Sequence, residues 1–484
     1  MGEKGYHFIS RLCGIILLLL VTACQSGGPA VTATIPPLAT GTPQIPSSLP
    51  TVMPSSTALP TMTPTAPISQ ELRVTTADLK GVEIRFWHPL AGESAAQMNR
   101  LVSQFNMINT WGVRVNIVTP GGDGPLAGAV DQAKPAELPE VILAASEDLA
   151  YWNESRSLLV DLNLYLNDPA VGLSNVEREG YLPVFWKQDS AGSQQLGLPA
   201  LRTTTGLIYN RSFATELKFR APPSTPPELL AQVCAAAKAN NQYADRQGTG
   251  GWMVDTAAIT ALSWISAFGA SVVPGSPKGD WKFDQAGSVD SFRYLRSMQE
   301  KGCLWVPKNP TPQVYFGNRN ALVYSATLQD LALQNGYQSK VASKDDWSFI
   351  PFPSPDGKGV LYAYGYSYAV LKSNPKSQMA AWLFVRWMSQ PIIQARMAST
   401  WISLPVSKAM LAEMASVSDT MPWPLILPLE SAVRPAPSLA SWRVVRRPLE
   451  DAFWQVFNVP TADLIPQILP VLDQMCVDLL KTPP

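Results

Sequence analysis

Histidine is almost missing from this chain: His7 and His88 are the only two. A His-rich metal site is therefore excluded, and any Ser-His-Asp or Cys-His arrangement beyond the N-terminal segment would have to use His88. Cysteine is scarce as well. After Cys24 only Cys234, Cys303 and Cys476 remain, and no two of them form a CxxC pair. Outside the cytoplasm a disulfide is the better use for such residues. Three pairings can be drawn. Cys234 with Cys303 is the expected one, leaving Cys476 free and buried. No excess of charge of either sign exists, since 37 Lys and Arg face 37 Asp and Glu without a basic block. Nucleic acid is thereby disfavoured as a partner. The glycine runs at 121–124 and 248–251 lack the Lys-Ser/Thr ending of a phosphate loop, and no metal or cofactor is expected.

The N-terminus carries an address. Lys4 and Arg11 precede a short apolar run from Leu12 to Val21, which ends in Val21-Thr22-Ala23-Cys24. The run is too short to span a bilayer comfortably, and no later run is long enough. An aliphatic residue, two small residues and then Cys form the pattern of a bacterial lipobox. Residues 1–23 are thus read as a lipoprotein signal peptide and Cys24 as the lipidated residue. Residues 24–75 read as a tether rich in Pro, Thr and Ser, with no charge between Leu12 and Gln70. Such a segment buries too little apolar surface to offset its ordering entropy, and its prolines favour extended conformations.

The rest has globular composition and suits two lobes rather than one core. Residues 82–87 alternate as a strand, and Met98, Leu101, Val102, Phe105 and Ile108 recur at helical spacing. Strands follow at 113–118 and 140–144. This order predicts a parallel sheet with right-handed crossovers. Further along, Leu196 to Pro199 leads into Gly206 to Asn210, and Pro223 to Pro227 opens a helix carrying Leu229, Leu230 and Val233. Residues 290–301 read as a helix stopped by Gly302. Strands are expected at 321–324, 347–353 and 361–371. A long helix opens at Pro375, and the chain is mostly helical after Ala409. Trp382 and Trp387, at helical spacing, read as core.

These pieces in this order resemble the family 1 extracellular solute-binding proteins, the maltose-binding-like cluster, over nearly all of 81–484. The resemblance rests on Phe86-Trp87-His88 with Phe105-Asn106; Gly197-Leu198-Pro199 with Tyr209-Asn210; Phe316-Gly317; Pro351-Phe352-Pro353 with Tyr364-Gly365-Tyr366; and Ala380 to Phe384 followed by Trp401 to Pro405. One departure is visible. Where such proteins often have a Pro-x-Thr-Trp helix start, Ser224-Thr225-Pro226-Pro227 stands here. The resemblance implies an α/β, two-lobed periplasmic-binding-protein type II fold with hinge strands between the lobes. Carried over, lobe one is 81–203 and 313–365, and lobe two is 204–312 and 366–484. The hinge crossings are placed at 203–205, 311–314 and 365–367. It also implies capture of a small solute, with a sugar favoured, for the permease subunits of an ABC importer. The chain is expected to act as a monomer held to the membrane by its lipid anchor.

A sugar needs flat aromatic surfaces for its C–H faces and a few oriented polar groups for its hydroxyls. The candidate contacts are Trp87 and His88 at the first strand end, Trp252, Trp264, Tyr364, Tyr366, Trp401 and Trp442, with Asp123 and Arg202 as polar partners. Strand ends in open α/β sheets face the ligand crevice, which favours Trp87 and His88. Trp264 reads equally well as core, and Tyr364 and Tyr366 equally well as hinge packing. No catalysis is expected. A surface glycoside hydrolase, which would need two carboxylates facing each other across the cleft, and a tethered non-transport sensor are the competing readings.

Overall fold

The computed structural model describes Ser69 and residues 72–277, 279–307, 311–417 and 427–481. The signal segment, Cys24 and nearly all of the 24–75 tether lie outside those residues.

Strand β1 (Glu83–Trp87) and helix α1 (Gly92–Ile108) form where alternation and helical spacing place them. β2 (Arg114–Val118) and β3 (Val141–Ala145) pair parallel with β1 on either side, joined through α2 (Asp123–Gln132). β3 reads Val-Ile-Leu-Ala-Ala because both of its faces are covered. Val141 and Leu143 pack with Phe86 and Phe105, whereas Ile142 and Ala144 pack with Leu126, Leu149 and Trp152 of α2 and α3 (Ser146–Arg156). After α4 (Pro183–Gln188), the two pieces expected around Leu198 and Gly206 prove to be one strand, β4 (Leu198–Asn210), buried along its whole length.

The chain then runs through α5 (Pro226–Asn240), β5 (Gly250–Met253), α6 (Ala258–Ala267), α7 (Ala286–Glu300) and β6 (Leu304–Trp305). α5 starts without the Trp of the resembled pattern, because Glu228 accepts the backbone N–H groups of Ser224 and Thr225. β7 (Ala321–Thr327), α8 (Leu328–Lys340), β8 (Trp347–Ile350) and β9 (Leu361–Val370) follow. Next come α9 (Pro375–Met388), α10 (Pro391–Trp401), α11 (Lys408–Val417), β10 (Val433–Pro435), α12 (Ala440–Val456) and α13 (Ile465–Lys481). Among the described residues, ten of these strands form one sheet in the order β2-β1-β3-β9-β4-β7-β5-β6, with β8 on β4 and β10 on β9.

Strand pairing redraws the expected segment boundaries. β7 pairs with the second half of β4 and with β5, which puts residues 321–327 in the second lobe rather than the first. β9 turns to pair with β3 from Tyr366 to Val370, and Phe384 of α9 packs edge-on against Phe86 and Phe105 at 5.3 and 5.1 Å. Residues 366–417 therefore belong to lobe one, and only 436–481 returns to lobe two, where Phe453 meets Phe292 at 5.6 Å. The expected crossing at 311–314 is instead a helix start, Pro312–Gly317. Three strands join the lobes: β4, β9 and β10, the last pairing with Leu361–Ala363 of β9. Sequence patterning names elements, but which strand edge each one finds is a long-range matter, and that is where the reading departs from the fold.

In lobe two a disulfide joins Cys234 of α5 to Cys303, with Cα atoms 4.5 Å apart, and Cys476 is free and buried. The nearby glycine run has a packing purpose. A Cβ on Gly251 would lie 2.0 Å from the Cys303 carbonyl oxygen, so only glycine lets β5 and this turn approach.

Candidate ligand-binding site

The site is assembled on β9 where it passes from one lobe to the other. A strand presents alternate residues to one face, and Tyr364 and Tyr366 are two apart. Both are half-buried. The Tyr364 hydroxyl lies 2.9 Å from Thr205 Oγ1 on β4. Burial, reinforced by the carboxylates of Asp255, Asp330 and Asp123, pushes its phenol up to about 12. Those carboxylates come from both sides. Asp123 opens α2 of lobe one, whereas Asp255 follows β5 and Asp330 opens α8 of lobe two.

Asp123 is exposed yet recessed. Burial raises its pKa above the usual carboxylate value, opposed by a hydrogen bond donated by the Tyr366 hydroxyl and by the charge of Arg446. Asp255 is raised too, chiefly by burial, while accepting from the Ala257 N–H at 2.9 Å and the Thr260 hydroxyl at 3.1 Å. The half-buried Trp401 packs its ring 5.4 Å from that of Tyr366. Its carbonyl accepts from Gln329 Nε2 at 2.7 Å, and Gln329 Oε1 accepts from Thr203 on β4 at 2.9 Å. The next residue, Ile402, has φ of 53°, a costly conformation for a β-branched side chain. It is held because Leu404 N–H donates to the Arg202 carbonyl and Ser403 Oγ accepts the Arg202 N–H. The result is a polar and aromatic cluster around Tyr364 and Tyr366, to which lobe one contributes Asp123 and lobe two Asp255.

Residues 100–422, more than half of the chain, match the bacterial extracellular solute-binding protein family. The chain belongs to that family. No curated protein sequence matches it. Among solved structures, the sugar-binding protein MalE from Xanthomonas citri is similar at 18% identity and TM-score 0.68, over 83% of this chain and 98% of that one. The GacH receptor of Streptomyces glaucescens is similar at 17% identity and TM-score 0.67, over 82% and 98%. The ABC substrate-binding protein Lmo0181 from Listeria monocytogenes is similar at 14% identity and TM-score 0.67, over 83% and 99%. These likenesses identify the fold of this solute-binding protein as two-lobed.

The structure sorts the expected contacts of this solute-binding protein into two groups. Asp123, Tyr364, Tyr366 and Trp401 come together as described. Trp87 is half-buried at the end of β1, packed against the cluster under α2, and its indole Nε1 has no hydrogen-bond partner among the described residues. The other five are shut away from solvent, which corrects their expected place. Trp252 and Trp264 are 0% exposed and pack together at 5.2 Å in the lobe-two core, because their strand and helix turn those positions inward. Trp442 stacks on Trp281 at 5.4 Å. His88 is buried, its ring 5.4 Å from Phe86, and burial pulls its pKa down to about 4.

Arg202 is a hinge residue. It is 0% exposed and uses every donor it has. Nε donates to Gln188 at 3.1 Å, Nη1 to the Leu201 and Tyr366 carbonyls at 3.1 and 2.6 Å, and Nη2 to Asp189 at 3.0 Å and Ser367 Oγ at 2.9 Å. Gln188 Nε2 donates in turn to the carbonyls of Ala363 and Ala436 at 2.9 and 3.2 Å. One buried network thus touches all three crossing segments. Asp255, Gln329 and Arg446 were missed from sequence. Asp255 and Gln329 sit at helix starts after strands, a position that could have flagged them, but their arrival at one cleft is decided by the sheet.

Proposed function

We propose that this protein is the ligand-capturing subunit of an ABC importer for a small solute, a mono- or oligosaccharide, and that it works as a monomer anchored through a lipid on Cys24. The observation that carries the reading is the floor of Tyr364 and Tyr366, with the Trp401 ring at 5.4 Å and the carboxylates of Asp123 and Asp255 on opposite walls. Aromatic faces suit the C–H faces of a sugar ring, and carboxylates accept its hydroxyls. Two structural relatives point the same way: the GacH receptor was solved with acarbose and Lmo0181 with cycloalternan. The lipobox-like Val21 to Cys24 and the following Pro/Thr-rich segment support a lobed domain held off the membrane on a stalk, where separate permease subunits would receive the cargo. Binding without turnover is the proposed chemistry.

The test is a thermal-shift screen of the mature chain against maltotriose, acarbose, glucose, tagatose and sorbitol, with the supernatant assayed for released monosaccharide. A ligand at 100 times its Kd stabilises by about 2.7 kcal/mol, a readily measured rise in Tm. A shift with one carbohydrate class and no breakdown supports capture. Release of monosaccharide would instead favour a hydrolase, and a flat response to every carbohydrate would rule out the sugar reading.

A further inference from the structure

A second arrangement crosses between the lobes beside this site. Arg443 and Arg446 are three residues apart on α12, so they share a face. That face meets α2 and α3 of lobe one. Arg443 Nε lies 3.0 Å from Asp148 Oδ1, its Nη1 donates to Asp131 at 3.2 Å, and Nη2 also pairs with Asp131. Its guanidinium stands 4.3 Å above the centre of the Tyr151 ring. Arg446 Nη1 lies 3.1 Å from Glu147 Oε1. The side chains of Asp148 and Glu147 are only 6% and 13% exposed in this arrangement. Lobe one thus brings Asp123, Asp131, Glu147 and Asp148 to the seam, with Tyr151 and Glu154 further along α3 and Tyr366 on the floor side. The ion-pair partners that α12 offers from lobe two are two guanidiniums. Lobe one adds a third cation, Arg156, whose guanidinium donates to the carbonyls of Val130, Asp131 and Ala133. Asp123 and Asp131 stay exposed, so the costly charges are those of Glu147 and Asp148, and the ion-pair partners they have at the seam are Arg446 and Arg443. Glu147 and Asp148 are both raised, first by burial and then by neighbouring carboxylates, with the arginines opposing.

We infer that Arg443 and Arg446 are the residues that permit lobe closure: they compensate an acidic face of lobe one that could not otherwise be brought against lobe two. Closure would then be set by the charge balance of this seam as well as by cargo. The consequence for cargo retention rests on the capture reading, but the closure equilibrium itself can be measured with no ligand present.

The experiment measures the interlobe distance by double electron–electron resonance on the ligand-free full chain, with nitroxides on Gln132→Cys in lobe one and Arg293→Cys in lobe two, both exposed positions. A closed-distance population is expected at pH 8 and low salt. Arg443→Ala with Arg446→Ala should lower the closed-to-open ratio about tenfold or more, the effect of about 1.4 kcal/mol. Taking that variant to pH 5 should restore closure. The carboxylates have raised pKa values when the lobes meet, so the closed form binds more protons and gains as pH falls. The exchanged pair Glu147→Arg with Arg446→Glu keeps the net charge and should close like the native chain. Restoration by acid and by exchange also shows that the variants are folded. An open native chain, an unchanged double variant, or an exchanged pair as open as the alanine variant overturns the inference. None of these outcomes depends on whether a sugar binds.

Discussion

Arg202 illustrates how a residue chosen for its charge can serve the fold instead. Its five N–H groups are all engaged, two of them with carbonyls on β4 and β9 and two with Asp189 and Ser367. Burial pulls its pKa down and Asp189 works against that, so the pair is held by geometry rather than by favourable desolvation. Removing the guanidinium would leave Asp189, whose side chain is 0% exposed, without its counter-ion. Arg202→Met is expected to cost about 3–5 kcal/mol in denaturant unfolding. Lysine, with three donors on a point charge, should recover only part of the loss. His88 carries a pH signature of its own. Its pKa falls from 6.5 in the unfolded chain to about 4, because burial penalises the imidazolium. The unfolded state therefore binds the extra proton between those values. Stability from His88 is fully present above pH 6.5 and is lost as pH falls to 4, by about 3 kcal/mol in all. His88→Gln should flatten that part of the stability–pH profile, as read from urea melts at pH 7 and pH 4.5.

Among the elements, β4 and β9 bear the most function. A 13-residue strand buried at every position can bridge two lobes because its first half pairs with β9 and its second with β7 and β8. Its partner needs Gly365 at the crossing, where φ is 150° and a Cβ would come within 2.2 Å of the Leu201 carbonyl oxygen. From sequence the glycine between two tyrosines was visible, and so was its place at a hinge, but not the close approach that requires it. The Cys234–Cys303 link is an element-scale device of another kind. It closes a loop across 69 residues of lobe two, which removes unfolded-state entropy worth about 4 kcal/mol. Reduction, or Cys234→Ser with Cys303→Ser, should lower lobe-two stability by about 2–4 kcal/mol. Hydrogen exchange in α5 and β5 would rise, while α1 and β1 in lobe one should change little.

On the scale of the whole molecule, the site exists only as a meeting of two walls. Asp123 belongs to lobe one and Asp255 to lobe two, and Tyr364 feels both. A site of this kind loses affinity from either side. Asp123→Ala and Asp255→Ala should each raise the Kd for a captured sugar about tenfold or more, the loss of a charged hydrogen bond, measured by calorimetry. A ligand held by one lobe alone would respond to one substitution and not the other.

The sequence by itself determined much of this protein: alternation and helical spacing in the first lobe, the Pro-led starts of α5 and α9, the strand with two tyrosines around Gly365, and a family resemblance borne out by the match over 100–422; of the three cysteine pairings it left open, the structure holds the expected one. Those are local signals, written in periods of two and 3.6 residues and in turn chemistry. Only the tertiary structure decided which aromatics see solvent, why Arg202 is locked under the hinge, that residues 366–417 return to lobe one, and that Arg443 and Arg446 face an acidic wall. Each of these depends on how elements pack in space, through partners that range from a dozen to several hundred positions away, such as Trp252 on Trp264 and Arg443 on Asp131; burial, which turns a tryptophan from a contact into core, is a property of that packing and not of the residue.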